Sequence, residues 1–147
     1  MAPLIRGAQI EDAKTVIILI RELCEMDGHE TALNVDDVKQ FLEVPGNTVL
    51  LAEVDGEVQG LLSYTVSLDL WHAGNCCYIR ELIIHAGCRQ MGLGGLLLEE
   101  VFRRAERDHW IEVSVSTMPD NTAAIGLYRK HGMTDEAVLL ERHFLAD

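Results

Sequence analysis

Two β-rich runs, residues 48–54 and 58–68, are joined through Asp55-Gly56. Asp-Gly is the pair that a two-residue type I′ turn selects, because both of its central residues need positive φ. The two runs are therefore antiparallel neighbours. A sheet that contains them cannot be the wholly parallel sheet of repeated strand–helix–strand units.

The remaining elements follow from periodicity and caps. Residues 4–7 read as a short strand. "EDAKTVIILIRELCEMDG" carries apolar residues at Ala13, Val16, Ile17, Ile20, Leu23 and Cys24, a helical spacing, and stops at Gly28. Asn34 is a good N-cap for "VDDVKQFLE", with Asp36 and Asp37 in the first turn where the helix dipole favours acids, and Pro45 beyond its end. "CCYIRELIIH" is apolar over much of its length and reads as a central strand. After a glycine-rich loop, Leu96, Leu97, Val101, Phe102 and Ala105 line one helical face, while Glu99, Glu100, Arg103, Arg104 and Arg107 line the other. "WIEVSVST" is a strand, Asp120 or Asn121 caps a helix through about His131, and "EAVLLERHF" reads as a closing strand. The expectation is an α+β (mixed α/β) fold.

Bulk properties narrow the class further. A chain of 147 residues without a linker or repeat is expected to form a single domain, residues 1–147. Its longest apolar run, "TVIILI", is far short of the roughly 20 residues of a membrane span, and the start lacks the marks of a signal peptide, so a cytoplasmic, membrane-free protein is expected. Cys24, Cys76, Cys77 and Cys88 form no CxxC pair and read as free thiols, with no metal expected. A net charge of −12, with 12 Lys and Arg against 24 acids, argues against nucleic acid as a partner and suits a cationic small molecule.

The loop "HAGCRQMGLGG" lies between a strand and an amphipathic helix, where exposed N–H groups and the helix dipole favour an anion. No Lys follows the glycines, as a Walker loop requires. Gly92-Leu93-Gly94 also lacks the third glycine of a dinucleotide fingerprint. What remains is Arg89-Gln90-Met91-Gly92-Leu93-Gly94, the pattern R/Q-x-x-G-x-G/A.

About thirty residues later "NTAAIGLYRKHGM" presents Asn121, Ala124, Tyr128 and Gly132 at the spacing N-x-x-A-x-x-x-Y-x-x-x-G, with Met133 where an aromatic is usual. Together with "YIRELII" before the loop, this stretch resembles the GNAT family of N-acetyltransferases over residues 78–133. The resemblance implies the GNAT fold, a splayed, mixed, mostly antiparallel sheet flanked by about four helices. It also implies acetyl-CoA as acyl donor, with its pantetheine arm between two parting strands, here residues 78–84 and 111–116.

On that footing each position has a physical role. The backbone N–H groups of Gln90, Met91, Gly92, Leu93, Gly94 and Gly95 would meet the pyrophosphate of coenzyme A, Gly92 and Gly94 because a Cβ there would hold the backbone away or forbid its dihedrals. Arg89 either adds charge there or faces solvent. Leu82, Ile83 and Ile84 would offer backbone groups to the pantetheine amides and the thioester, in the manner of strand addition. An alkylammonium near pKa 10.4 must lose its proton before it attacks, and Glu81 is the candidate base, unless it is a salt-bridged strand carboxylate. His85 is a weaker candidate and is set aside. By the family match Tyr128 lies near the sulfur and donates to the departing thiolate, its alternative being a half-buried aromatic. Asn121 caps its helix and, by the same match, bonds the pantetheine arm.

The acceptor is expected to be a small-molecule amine, taken up by direct attack in a ternary complex. Glu25, Asp27 and Glu30 on one connection, and Asp69, Trp71 and His72 on another, would suit a cationic one such as a polyamine, an aminoglycoside or a lysine-like compound. The alternatives are a non-catalytic acyl-CoA-binding or sensing domain, and transfer to a protein N-terminus or lysine. "EAVLLERHF" is a candidate edge strand for a homodimer.

Overall fold

The computed structural model describes residues 2–145. It contains one five-stranded sheet in the order β1-β2-β3-β4-β5: β1 (Leu4–Gly7), β2 (Asn47–Val54), β3 (Glu57–Asp69), β4 (Gly74–Ile84) and β5 (Glu112–Val115). The first four strands pair antiparallel and β5 lies parallel to β4. The sheet is mixed and mostly antiparallel, as expected from sequence.

Its local causes are readable. Asp55 and Gly56 both have positive φ, 53° and 83°, and turn β2 into β3. In "VLLA" of β2 all four side chains are buried, because the sheet is covered on both faces: Val49 and Leu51 point to one side, Leu50 and Ala52 to the other.

The first face is covered by α1 (Ala13–Met26) and α2 (Val35–Glu43), through Ala13, Val16, Leu19 and Val38. Asn34 caps α2 in a full capping box with Asp37. The second face is covered by α3 (Leu93–Asp108) and α4 (Thr122–Lys130), through Leu93, Leu97, Leu98, Val101 and Tyr128. Glu100 and Arg104 of α3 pair at 2.7 Å, and Arg104 also donates to the Tyr64 hydroxyl at 3.0 Å.

The expected closing strand does not form. Among the described residues, 133–145 carry no regular structure, and Val138, Leu140 and Phe144 are 84%, 88% and 83% exposed. "EAVLLERHF" has the alternation of a strand but pairs with no ladder in the described structure, and an unpaired strand has nothing to offset its ordering entropy. "WIEVSVST" likewise forms a strand only over Glu112–Val115.

Candidate active site

The strands β4 and β5 run together only from Cys76 opposite Glu112 to Ile79 opposite Val115. Beyond that point β4 continues to Ile84 with β3 alone on its other side. The β5-facing edge of residues 80–84 is therefore an unpaired ladder, which includes the backbone of Leu82, Ile83 and Ile84. Such a row of N–H and C=O groups is a template for an extended amide-bearing chain.

A bulge sets which side chains flank that edge. Tyr64 lies opposite Ile79 and Ser63 opposite Glu81, so Arg80 is an extra residue in β4. Ile79 and Glu81, two apart, would otherwise share a face. The bulge instead leaves Ile79 under α3 and turns Glu81 to the α1/α2 side, with Ile83.

There Glu81 meets Ser63, the one buried polar residue among the described residues. The Ser63 hydroxyl donates to Glu81 Oε1 and accepts from the Glu81 N–H at 3.1 Å. Both line a cavity of about 310 Å³ whose other walls are largely apolar, among them Ile20, Leu23 and Phe41, with Asp37 at its rim. A second hollow, of about 360 Å³, beside Lys39 and Glu43, involves no residue of β4.

Tyr128 sits on the opposite face, 8% exposed, and no hydrogen bond from its hydroxyl to another described residue is present. Burial pushes its pKa up to about 12, so the hydroxyl stays protonated through the neutral range. Asn121 caps α4 by accepting from the Ala124 N–H at 3.2 Å.

Between β4 and α3 the glycine-rich stretch is not a floppy loop. Residues 86–91, with Arg89, Gln90 and Met91, wind into a 3-10 turn that ends at Gly92. Gly92 has φ 73°, a left-handed conformation that glycine adopts without penalty. It caps α3, whose first turn leaves the N–H groups of Leu93, Gly94 and Gly95 without intrahelical partners. Gly94 has no such dihedral demand. A Cβ there would meet Leu127 Cδ2 of α4 at 3.1 Å, so its smallness lets the two helices approach. Gly95 faces the His131 ring.

Arg89 bends back toward the strand, donating to the Ile84 carbonyl and to Met26 Sδ, each at 3.1 Å. Its other neighbour, Glu22 at 4.0 Å, also pairs with His85 at 2.6 Å. Glu25, Asp27 and Glu30 lie at or beyond the end of α1. Asp69 ends β3 and His72 lies in the turn before β4; Asp69 is six residues along β3 from Ser63, or roughly 20 Å from the level of Glu81. Sequence reasoning missed Ser63 and Glu22. A lone serine in "GLLSYTV" is the only signal Ser63 left, and Glu22 left none.

An open edge on β4, a glycine-capped helix at the end of that strand and a buried tyrosine across the sheet are one arrangement, and the sequence comparison gives it a name. A family described as acetyltransferase (GNAT) matches residues 17–133, most of the chain. The chain belongs to the GNAT family. Solved structures of the same fold include an aminoglycoside acetyltransferase from an uncultured soil metagenomic sample, in complex with sisomicin, which is 17% identical over 99% of this chain and 97% of its own, with a TM-score of 0.83. A ribosomal-protein-alanine N-acetyltransferase from Brucella melitensis is 15% identical over 97% and 99%, with a TM-score of 0.83. A transcriptional regulator from Bacillus halodurans is 21% identical over 97% and 100%, with a TM-score of 0.85. At such identities the likeness concerns the GNAT fold alone.

Proposed function

We propose that this GNAT domain transfers an acetyl group from acetyl-CoA to the primary amine of a small molecule, by direct attack in a ternary complex. The observation that carries the reading is the unpaired edge of β4 over residues 80–84, bounded by the Gly92-capped N-terminus of α3. An extended pantetheine arm would complete the ladder there through Leu82, Ile83 and Ile84. The free N–H groups of Leu93, Gly94 and Gly95 would take the pyrophosphate, with the residues 89–92 turn beside it. Arg89 reaches that anion only by leaving the Ile84 carbonyl, which frees a group for the pantetheine at the same time.

Glu81 and Tyr128 flank the open edge from opposite faces of the sheet. Glu81, on the cavity side, takes a proton from the ammonium, so that the neutral amine can attack the thioester carbonyl. Charge that builds on that oxygen is met by a β4 N–H. The tetrahedral intermediate then loses the second proton of the attacking nitrogen to solvent and expels the thiolate, to which the Tyr128 hydroxyl donates a hydrogen bond, and Asn121, beyond its cap, holds the pantetheine arm. Ser63 keeps the Glu81 carboxylate fixed.

The mostly apolar cavity around Glu81 favours an amine that carries an aliphatic or aromatic body over a polyhydroxylated one, because buried hydroxyls there would find few partners. The free state of all four cysteines supports a cytoplasmic setting. Exposed Val138, Leu140 and Phe144 favour a homodimer that covers the tail.

The test is thiol release from acetyl-CoA in the presence of alkylamines, arylalkylamines, polyamines, aminoglycosides and peptides with free N-termini. Release with the apolar amines is expected. Tight acetyl-CoA binding without release from any amine would favour a sensing domain, and release with peptides alone would move the acceptor to proteins.

A further inference from the structure

The β3–β4 turn brings together three side chains that the proposed acetyl transfer does not use. Asp69 ends β3, His72 lies in the turn and Cys76 stands on β4. Asp69 Oδ1 accepts from the Trp71 N–H at 2.9 Å, which leaves Oδ2 directed at His72 Nδ1, 2.7 Å away. Cys76 Sγ lies 3.6 Å from that same Oδ2 and 3.7 Å from that same Nδ1. One oxygen, one nitrogen and one sulfur thus converge on a common point, all within 4.8 Å of each other.

We propose that Asp69, His72 and Cys76 bind a divalent zinc-type cation through Oδ2, Nδ1 and Sγ. Tetrahedral zinc with bonds of about 2.0–2.2 Å to oxygen and nitrogen and about 2.3 Å to sulfur sets ligand-to-ligand separations of roughly 3.4–3.6 Å. The two separations to sulfur already match. Only the Asp69–His72 contact must open, by about 0.7 Å, as the cation replaces the proton between them.

The other ring nitrogen supplies a second, independent sign. His72 Nε2 faces Glu112 Oε2 of β5 at 3.5 Å. A ligating histidine commonly donates its remaining N–H to a carboxylate, which fixes the tautomer and strengthens the ligand. Here Nδ1 gives its lone pair to the cation and Nε2 keeps the proton toward Glu112. On binding, the Cys76 S–H bond breaks and its proton passes to solvent as the S–metal bond forms. The three charges of Asp69, Glu112 and the thiolate suit a dication, and a mixed O, N, S set with a thiolate selects zinc or cobalt over magnesium or calcium.

Three protein ligands leave a fourth position for water. Cys76 lies opposite Ser67, four residues along β3 from Ser63, and Asp69 lies six, so the site is roughly 13–20 Å from Glu81, and the cation would brace the β3–β4 turn beside β5 and take no part in the acyl chemistry. The spacing D-x-x-H-x-x-x-C matches none of the common zinc patterns, which is why the sequence alone pointed to no metal.

The test uses tag-free protein stripped with chelator and titrated with Co²⁺, then with Zn²⁺. One Co²⁺ per chain is expected, with a thiolate-to-cobalt absorption band that Zn²⁺ abolishes. Cys76→Ser should lose the band, His72→Ala should lose binding, and Glu112→Gln should weaken it by about tenfold. Circular dichroism of the metal-free variants checks that each is folded. Absence of uptake by the wild type, or a band that survives Cys76→Ser, would overturn the assignment and leave Asp69 and His72 as an ion pair.

Discussion

Tyr128→Phe removes one hydroxyl and no hydrogen bond within the described structure, so it isolates what that group does for catalysis. Burial raises the Tyr128 pKa to about 12, whereas an ordinary thiol lies near 8.5. Complete transfer of the tyrosine proton to the thiolate is then uphill by about 5 kcal/mol, at about 1.36 kcal/mol per pKa unit. On the proposed mechanism the hydroxyl would then act as a hydrogen-bond donor to the developing thiolate and keep its own proton, and the thiolate would take its proton from solvent as coenzyme A leaves.

A hydrogen bond to a charged group is worth about 1.5–3 kcal/mol, so kcat for thiol release should fall roughly 10- to 150-fold rather than by the larger factors that full proton transfer yields. The affinity for acetyl-CoA should hold, since the bond forms only as charge builds on sulfur. Urea unfolding should show nearly unchanged stability, because no hydrogen bond within the described structure is lost. A kcat within twofold of wild type would remove the donor role. A fall in kcat accompanied by a comparable loss of acetyl-CoA affinity would refute the charge argument and make Tyr128 a packing residue of the cofactor site.

Glu81→Gln keeps the shape and the Ser63 contact but cannot take a proton, so kcat should drop by about 10²–10⁴ with acetyl-CoA binding intact, as single-turnover and binding assays would report; unchanged kcat would pass the base role to water. Gly92→Val forces a β-branched residue to φ 73° and should cost about 1–2 kcal/mol in urea unfolding, together with weaker acetyl-CoA binding. Arg103, chiefly, and Arg104 hold the Glu100 carboxyl down at about 2. Its folded pKa is below the unfolded value, so the stability it adds is present above about pH 4.5 and fades as pH falls toward 2. Glu100→Gln should therefore cost about 1–2 kcal/mol at pH 7 after discounting for solvent around Arg103, and almost nothing near pH 2. Removal of residues 134–147 should convert any dimer seen by analytical ultracentrifugation to monomer; a dimer that survives lies elsewhere on the surface.

Much of the fold was legible because its causes are local. Asp55-Gly56 carries its own turn geometry, Asn34 its capping box, and the leucines of α3 their period. The glycine stretch was legible in part: Gly92 has the left-handed φ expected of it, whereas Gly94 is small for the sake of Leu127, a residue of another helix that no local pattern reveals. "EAVLLERHF" failed for the complementary reason. Alternation states that a segment could be a strand, but a strand exists only if a partner edge is within reach.

The bulge at Arg80 shows most clearly why the surroundings of Glu81, unlike its place in the chain, lay beyond sequence. In an unbroken β4, Glu81 would share a face with Ile79 and Cys77 and press its carboxylate into the core beneath α3. One extra residue re-aims it into the cavity beside Ser63. The same shift lets Leu82 and Ile84 rejoin the α3 side, so the strand stays packed on both faces while its outer edge stands open. Register is a property of two strands together, and β3 and β4 settle it over their shared ladder rather than at any one residue. The aim of the carboxylate thus depends on one irregularity, one residue past the point where β4 parts from β5.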